Sequence, residues 1–134
     1  MKKILLLTLA VLMTSIHANA CEGVSFQGAS GKSYCLSKHT MNWYSGYAWC
    51  HDQGMQLVDI TKLCNTVELS SCPEFKLTQE EKDAIIAAGG KLTANGWTSV
   101  SFSDCCPVTI NLGNAGNIGF SNTQRYHSAL ALCE

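Results

Sequence analysis

The stretch Asn42-Trp43-Tyr44-Ser45-Gly46-Tyr47-Ala48-Trp49-Cys50-His51-Asp52-Gln53-Gly54-Met55-Gln56-Leu57 decides how the chain folds. Asn42 is a polar residue of the kind that caps a helix, because its side-chain oxygen can accept from a backbone N–H that has no partner in the first turn. The helix it opens is expected from Trp43 to about Gln53, with Gly54 as the stop, since glycine takes the left-handed conformation at a helix end without a Cβ clash. Trp43, Gly46, Tyr47 and Cys50 fall at i, i+3, i+4 and i+7 and so share one face. Trp43 reads as core, whereas Trp49 points about 100° away from Cys50 and is the aromatic to watch for a binding role.

On the N-terminal side, residues 23–37 read as two short strands around a Gly/Ser turn. On the C-terminal side, Met55 to Ile60 form a short strand or extended segment. Thr78-Gln79-Glu80-Glu81 is a capping box, and the helix it starts runs through Ile85 and Ile86 to Gly89-Gly90. Strands are expected at Gly96–Phe102, where Trp97 reads as core, at Val108–Leu112 and at Ala129–Cys133, with a Gly/Asn-rich loop, Gly113 to Gly119, between the last two. Few helices, several short strands and no βαβ alternation make an α+β domain. There are no internal repeats, charge blocks or linkers, so residues 21–134 read as one domain.

With those residues in view, the helix segment resembles the first helix of C-type lectin-like domains, which carry a polar cap, Trp, a small residue, Cys, Gly and Leu at the spacing of Asn42, Trp43, Gly46, Cys50, Gly54 and Leu57. Ala129 to Glu134 is similar to that family's last strand, Cys21 with Tyr34-Cys35 to the extra N-terminal hairpin of its long form, and Trp97 to the Trp of its core strand. The resemblance is specific at the helix and the C-terminus and loose between about residues 61 and 128. It implies the long-form fold, two helices with short antiparallel strands, and bridges Cys50–Cys133 and Cys21–Cys35. Family members that hold sugars through calcium use Glu-Pro-Asn or Gln-Pro-Asp and Trp-Asn-Asp motifs, and neither is present. No acidic residue lies between Asp104 and Glu134, and calcium needs six to eight oxygens, largely carboxylates, so no metal and no cofactor are expected.

Cys64, Cys72, Cys105 and Cys106 then remain, with three pairings open. A bridge between the neighbours Cys105 and Cys106 needs a distorted peptide bond. The other two pairings tie the Cys64–Cys72 segment to the Cys105-Cys106 corner, as 64–105 with 72–106 or 64–106 with 72–105. This double tie is favoured, because it avoids strain and closes longer loops.

Residues 1–20 read as a cleaved signal peptide: Lys2 and Lys3, an apolar run from Ile4 to Met13, then Ala18-Asn19-Ala20. A run of about ten residues is too short for a permanent anchor, and no second long apolar run follows, so no integral membrane segment is expected after cleavage. Lipidation of Cys21 is disfavoured, because Ala18 replaces the branched residue of that pattern and all eight cysteines, an even set, follow the cleavage site. The exported part would have 114 residues and seven Lys plus Arg against ten Asp plus Glu, a formal charge of −3. Without a basic stripe, nucleic acid is not an expected partner. The cysteines lack zinc spacing. A secreted, cell-surface or periplasmic location follows from disulfide use.

His39, His51, His127, Cys105 and Cys106 are the catalytic candidates, but bridged cysteines supply no nucleophile and the carboxylates show no acid–base spacing, so the chain is read as not an enzyme. The expected function is a calcium-independent binding module for a protein or glycan ligand, with loops on a stapled scaffold. Its candidate surface is the stretch Asn111 to Asn122 continuing to Arg125 and Tyr126: Asn111, Asn114, Asn117 and Asn122 supply donors and acceptors, and Trp49 an aromatic face. The alternatives are an assembly subunit of a surface appendage or secretion complex, and a periplasmic inhibitor.

Overall fold

The computed structural model describes residues 21–64, 71–101, 106–119 and 125–134. The expected signal peptide, and with them Asn122 and Cys105, lie outside the described residues. Strands β1 (Val24–Gln27) and β2 (Ser33–Met41), helices α1 (Trp43–Asp52) and α2 (Gln79–Ala87), and strands β3 (Gly96–Ser101), β4 (Pro107–Asn111), β5 (Asn117–Gly119) and β6 (Ala129–Cys133) follow in chain order. The strands form a six-stranded sheet in the order β1-β2-β6-β3-β4-β5.

The last strand organises the molecule. All five residues of β6 are buried, and they alternate between two clusters. Leu130 and Leu132 enter a large core with Phe26, Tyr34, Leu36, Phe75, Ile85, Val108 and Ile110. Ala129, Ala131 and Cys133 belong to a second cluster with Cys50, Leu57 and Trp97. Small residues on that side let α1 come close: a Cβ built on Gly46 would stand 3.3 Å from Trp97 Cδ1 and 3.6 Å from the Ala131 Cβ. The Cys50–Cys133 bridge then fastens α1 to β6 across 83 residues of chain, and Cys21–Cys35 closes the N-terminal hairpin. These are the two bridges that the resemblance implies.

Both helix starts behave as their sequences require. Asn42 accepts from the Ser45 N–H at 2.8 Å, and Thr78 and Glu81 complete the reciprocal capping box. Gly54 ends α1 with φ +71°. The shared face of α1 is narrower than its period suggests: Gly46 and Cys50 are buried, while Tyr47 is 53% exposed. A contact made through a glycine and a bridged cysteine brings the helix axis close to the sheet and leaves the bulky flanking residues outside.

Two expectations are corrected. The sheet is mixed rather than antiparallel, because β3 pairs β6 in parallel through Gly96↔Leu130 and Trp97↔Ala131. The direction of β6 is set by its longer antiparallel ladder with β2, and β3 occupies its other edge running the same way. Residues 55–60 take the second of the two expected forms, an extended segment, in which Leu57 and Val58 make single bridges to Cys133 and Thr98. Val58 donates to Leu132 and accepts from Ser99, a wedge where β6 and β3 separate. Finally, Cys64 bonds to Cys72, which overturns the double tie. Their Cα atoms stand 5.4 Å apart, within reach of one bridge. The segment needs no cysteine to reach the β4–β5 turn, because Cys72 donates to the Gly116 carbonyl at 2.9 Å and Ser71 bridges to Asn117. Cys106 is also disulfide-bonded.

Candidate binding surface

The exposed side of α1 carries Tyr44 and Tyr47 among Ser45, Ala48, His51 and Asp52. Trp43, the first residue of the helix, packs its ring 5.4 Å from that of Tyr44, edge to face, and 5.8 Å from that of Tyr47. Its indole N–H donates to the Thr98 carbonyl at 3.0 Å, and its backbone N–H donates to the Arg125 carbonyl at 2.9 Å. Trp43 is therefore held at both ends, half-buried, and acts as a fixed base for its neighbours. The Arg125 guanidinium lies over the Trp43 ring at 5.4 Å, a cation–π arrangement. Tyr44 and Tyr47 are 52% and 53% exposed, and Tyr126, next to Arg125 in the chain, is 75% exposed.

Arg125 has no ion-pair partner among the described residues, and its Nε is buried without an acceptor. Its guanidinium lies over the indole with no carboxylate ion-paired to it among the described residues. Beside this group lies a cleft of about 240 Å³ lined by Tyr47, His51, Met55, Gln56, Leu57 and Ser99. His51 follows Tyr47 by one helical turn, so the two side chains stand on one face. Gln56 is oriented by donating to Glu134 Oε1 at 3.0 Å, and Ser99 donates to the Val58 carbonyl at 3.3 Å. The cleft therefore has an apolar wall and a polar one, both seated on the α1–β6 junction. Among the described residues no three His, Cys, Asp or Glu side chains stand close enough to hold a metal ion.

The residues singled out from sequence fall into separate groups. Asn111 and Asn117 pair across β4 and β5, so part of the expected Gly/Asn loop is a tight hairpin. Asn111 Oδ1 accepts from the Asn114 N–H at 2.9 Å, and the Asn111 carbonyl accepts from Gly116 at 2.9 Å. Ala115 and Gly116 take positive φ, 52° and 68°, to close it. Gly116 sits tightly against the Cys72–Phe75 turn, since a Cβ there would lie 2.7 Å from the Cys72 carbonyl oxygen. Arg125 joins α1 through its contacts with Trp43, and Tyr126 follows it in the chain. Trp49 is half-buried, with its Cη2 3.1 Å from the position a Gly23 Cβ would take.

Tyr44, Tyr47 and Gln56 were not among the sequence candidates, and His51 was weighed there only as a catalytic group. The signal was available: three aromatics at i, i+1 and i+4 cannot all face a sheet that touches the helix through Gly46 and Cys50. The chain matches no protein-family model and no curated protein.

Proposed function

We propose that this chain is an exported, non-catalytic binding module on a C-type lectin-like scaffold, which recognises a protein or glycan ligand without calcium through the aromatic face of α1 and its cleft. The observation that carries the reading is the pair Tyr44 and Tyr47, half exposed beside a Trp43 that is hydrogen-bonded in place under the Arg125 cation. Trp, Tyr and Arg are the residues that dominate binding hot spots, because they combine large contact area with few rotatable bonds and a polar tip. A helix stapled to the last strand supports them, so little ordering entropy is spent on binding. The helix-to-terminal-strand bridge and the closed N-terminal hairpin support the family assignment. The bridges fit an oxidising compartment, hence a secreted, surface or periplasmic location.

The test applies labelled mature protein, disulfides intact, to printed arrays of defined oligosaccharides and of extracellular and envelope proteins, with EDTA or with millimolar calcium. Specific retention that is equal in both buffers is expected. Retention lost in EDTA contradicts the calcium-free reading, and no retention on any spot contradicts the binding role.

A further inference from the structure

We infer that the open edge of β1, with the groove between it and α2, takes an extended peptide segment of a partner protein as an added strand. One apolar side chain of that segment enters the groove, and a Lys or Arg two residues along meets Glu81. This surface shares no residue with the α1 surface, so the inference goes beyond the function proposed above.

The two edges of the sheet differ. At the β5 edge, Ser71 bridges to Asn117 and Cys72 donates to the Gly116 carbonyl, so backbone already covers it. β1 is the other edge, and among the described residues no backbone pairs with its outer side. Gly28 donates to the Lys32 carbonyl at 2.9 Å, which sets the alternation of the β1–β2 ladder. Val24 and Phe26, opposite Leu36 and Tyr34, therefore bond to β2. Ser25 and Gln27 turn their N–H and C=O groups to the open edge. These two sets stand about 7 Å apart, the two-residue repeat of a strand. β1 carries none of the Lys, Pro or bulge that keep other chains from pairing with an edge.

Beside that edge lies a groove of about 240 Å³ lined by Ser25, Phe26, Gln27, Glu81, Ala84 and Ile85. Glu81, Ala84 and Ile85 stand at i, i+3 and i+4, one stripe of α2. Phe26 and Ile85 share the large core, so the Phe26 face of β1 is the one that α2 covers. In an added strand the residue opposite Phe26 points to that same face, and its two neighbours point away. The groove lies below the roughly 300 Å³ at which drug-sized ligands begin to fit, which leaves room for a side chain and not for a helix. Backbone bonds would hold the peptide while the groove selects one residue, the division of labour in strand addition.

The charge of the groove chooses the partner. Glu81 is the charged residue of its lining. Its Oε2 accepts from the Thr78 N–H at 2.8 Å, which fixes the carboxylate. Among the described residues it has no ion-pair partner. A cation two residues from the apolar anchor lies on the same face of the added strand and meets this carboxylate. A second copy of this chain fits less well. Antiparallel pairing of β1 with its copy would keep both α2 helices on one side of the joined sheet. Two grooves, each with Glu81 and no cation, would then face each other, and like charges oppose such a pairing.

The probe is a seven-residue peptide blocked at both ends, with Leu at its centre, Lys two residues before and after it, and Thr elsewhere. It is titrated into the mature protein, disulfides intact, and followed by amide NMR. Saturable shifts are expected at Ser25, Phe26, Gln27 and Ala84, with the Ser25 and Gln27 amides protected from exchange. Gln27→Pro removes an edge donor that β2 does not use, so it should fold and bind about tenfold more weakly. Ala84→Lys, at an exposed helical position, should also weaken binding, because it sets a cation in the groove. Glu81→Gln keeps the capping box. It should remove only the preference, about threefold, for the Lys peptide over one with Gln in both Lys positions. Shifts confined to the tyrosine side of α1, no saturable shift, or undiminished binding by folded Gln27→Pro and by Ala84→Lys would overturn strand addition at β1. Shifts of the β1 amides that follow protein concentration without peptide would assign the edge to a second copy instead. Equal binding of the Lys and Gln peptides by the native protein would overturn the basic partner. The ligand arrays test α1 and this titration tests β1, so the two readings fail separately.

Discussion

At the level of single residues, the two helix caps were legible and the exposure of Tyr47 was not. A cap depends on three or four neighbouring residues, so Asn42 and the Thr78–Glu81 box declare themselves locally. Whether Tyr47 is inside depends on what the opposing strand presents, and the alanines of β6 lie more than eighty positions away. Tyr34 illustrates a residue whose environment is wholly tertiary. Burial, then the charges of Glu74 and Glu134, hold its phenol well above the ordinary tyrosine range. A folded pKa above the unfolded one means that the native state keeps its proton while the unfolded chain loses it. The stability this contributes is complete below the unfolded value of about 10 and falls as pH rises past it. Tyr34→Phe should flatten the decline of the thermal midpoint between about pH 9.5 and 11. A decline as steep in Tyr34→Phe as in the native protein would show that other groups control alkaline unfolding.

At the level of elements, the strand positions other than β5, which was read as loop, were readable from composition, whereas pairing and direction were not. The β6 segment Ala-Leu-Ala-Leu-Cys shows its alternation openly, but nothing in it says that β3 runs parallel alongside. The irregularity between Leu36 and Thr40 in the β2–β6 ladder is likewise invisible until the strands meet. There Ser37, 1% exposed, donates to the His39 carbonyl at 2.8 Å and accepts from the Ala131 N–H at 2.8 Å. One hydroxyl satisfies two backbone groups that the ladder leaves over. Ser37→Ala should cost roughly 1–3 kcal/mol in urea unfolding, the range for stranding buried polar groups, with binding unaffected. A loss under about 0.5 kcal/mol would mean that water or a local shift replaces the hydroxyl.

At the level of the whole molecule, the bridges divide by what they span. Cys50–Cys133 closes a separation of 83 residues, and Cys64–Cys72 one of eight. In the chain-entropy model these are worth about 4–5 and about 2–3 kcal/mol respectively. Cys64→Ser with Cys72→Ser should therefore leave a folded protein of modestly lower stability, and Cys50→Ser with Cys133→Ser should lower it clearly more. The reverse order would place the stabilising role in the short loop. The longer-range bridges were legible because a family resemblance spoke for them. The short one was missed because loop-length reasoning weighs the unfolded chain and overlooks the backbone bonds that already hold Ser71 and Cys72 against the β4–β5 turn. Arg125 was singled out in the sequence as a loop residue, but its seat over Trp43 exists only once the chain has returned from the far side of the sheet. The most direct measurement compares Tyr44→Ala with Tyr47→Ala against Asn114→Ala on the same ligand arrays. Loss of at least about tenfold in retention is predicted for the tyrosine pair, and none for the asparagine at the β4–β5 turn. Full retention by the tyrosine variant, with loss in Asn114→Ala, would contradict the placement of recognition on α1.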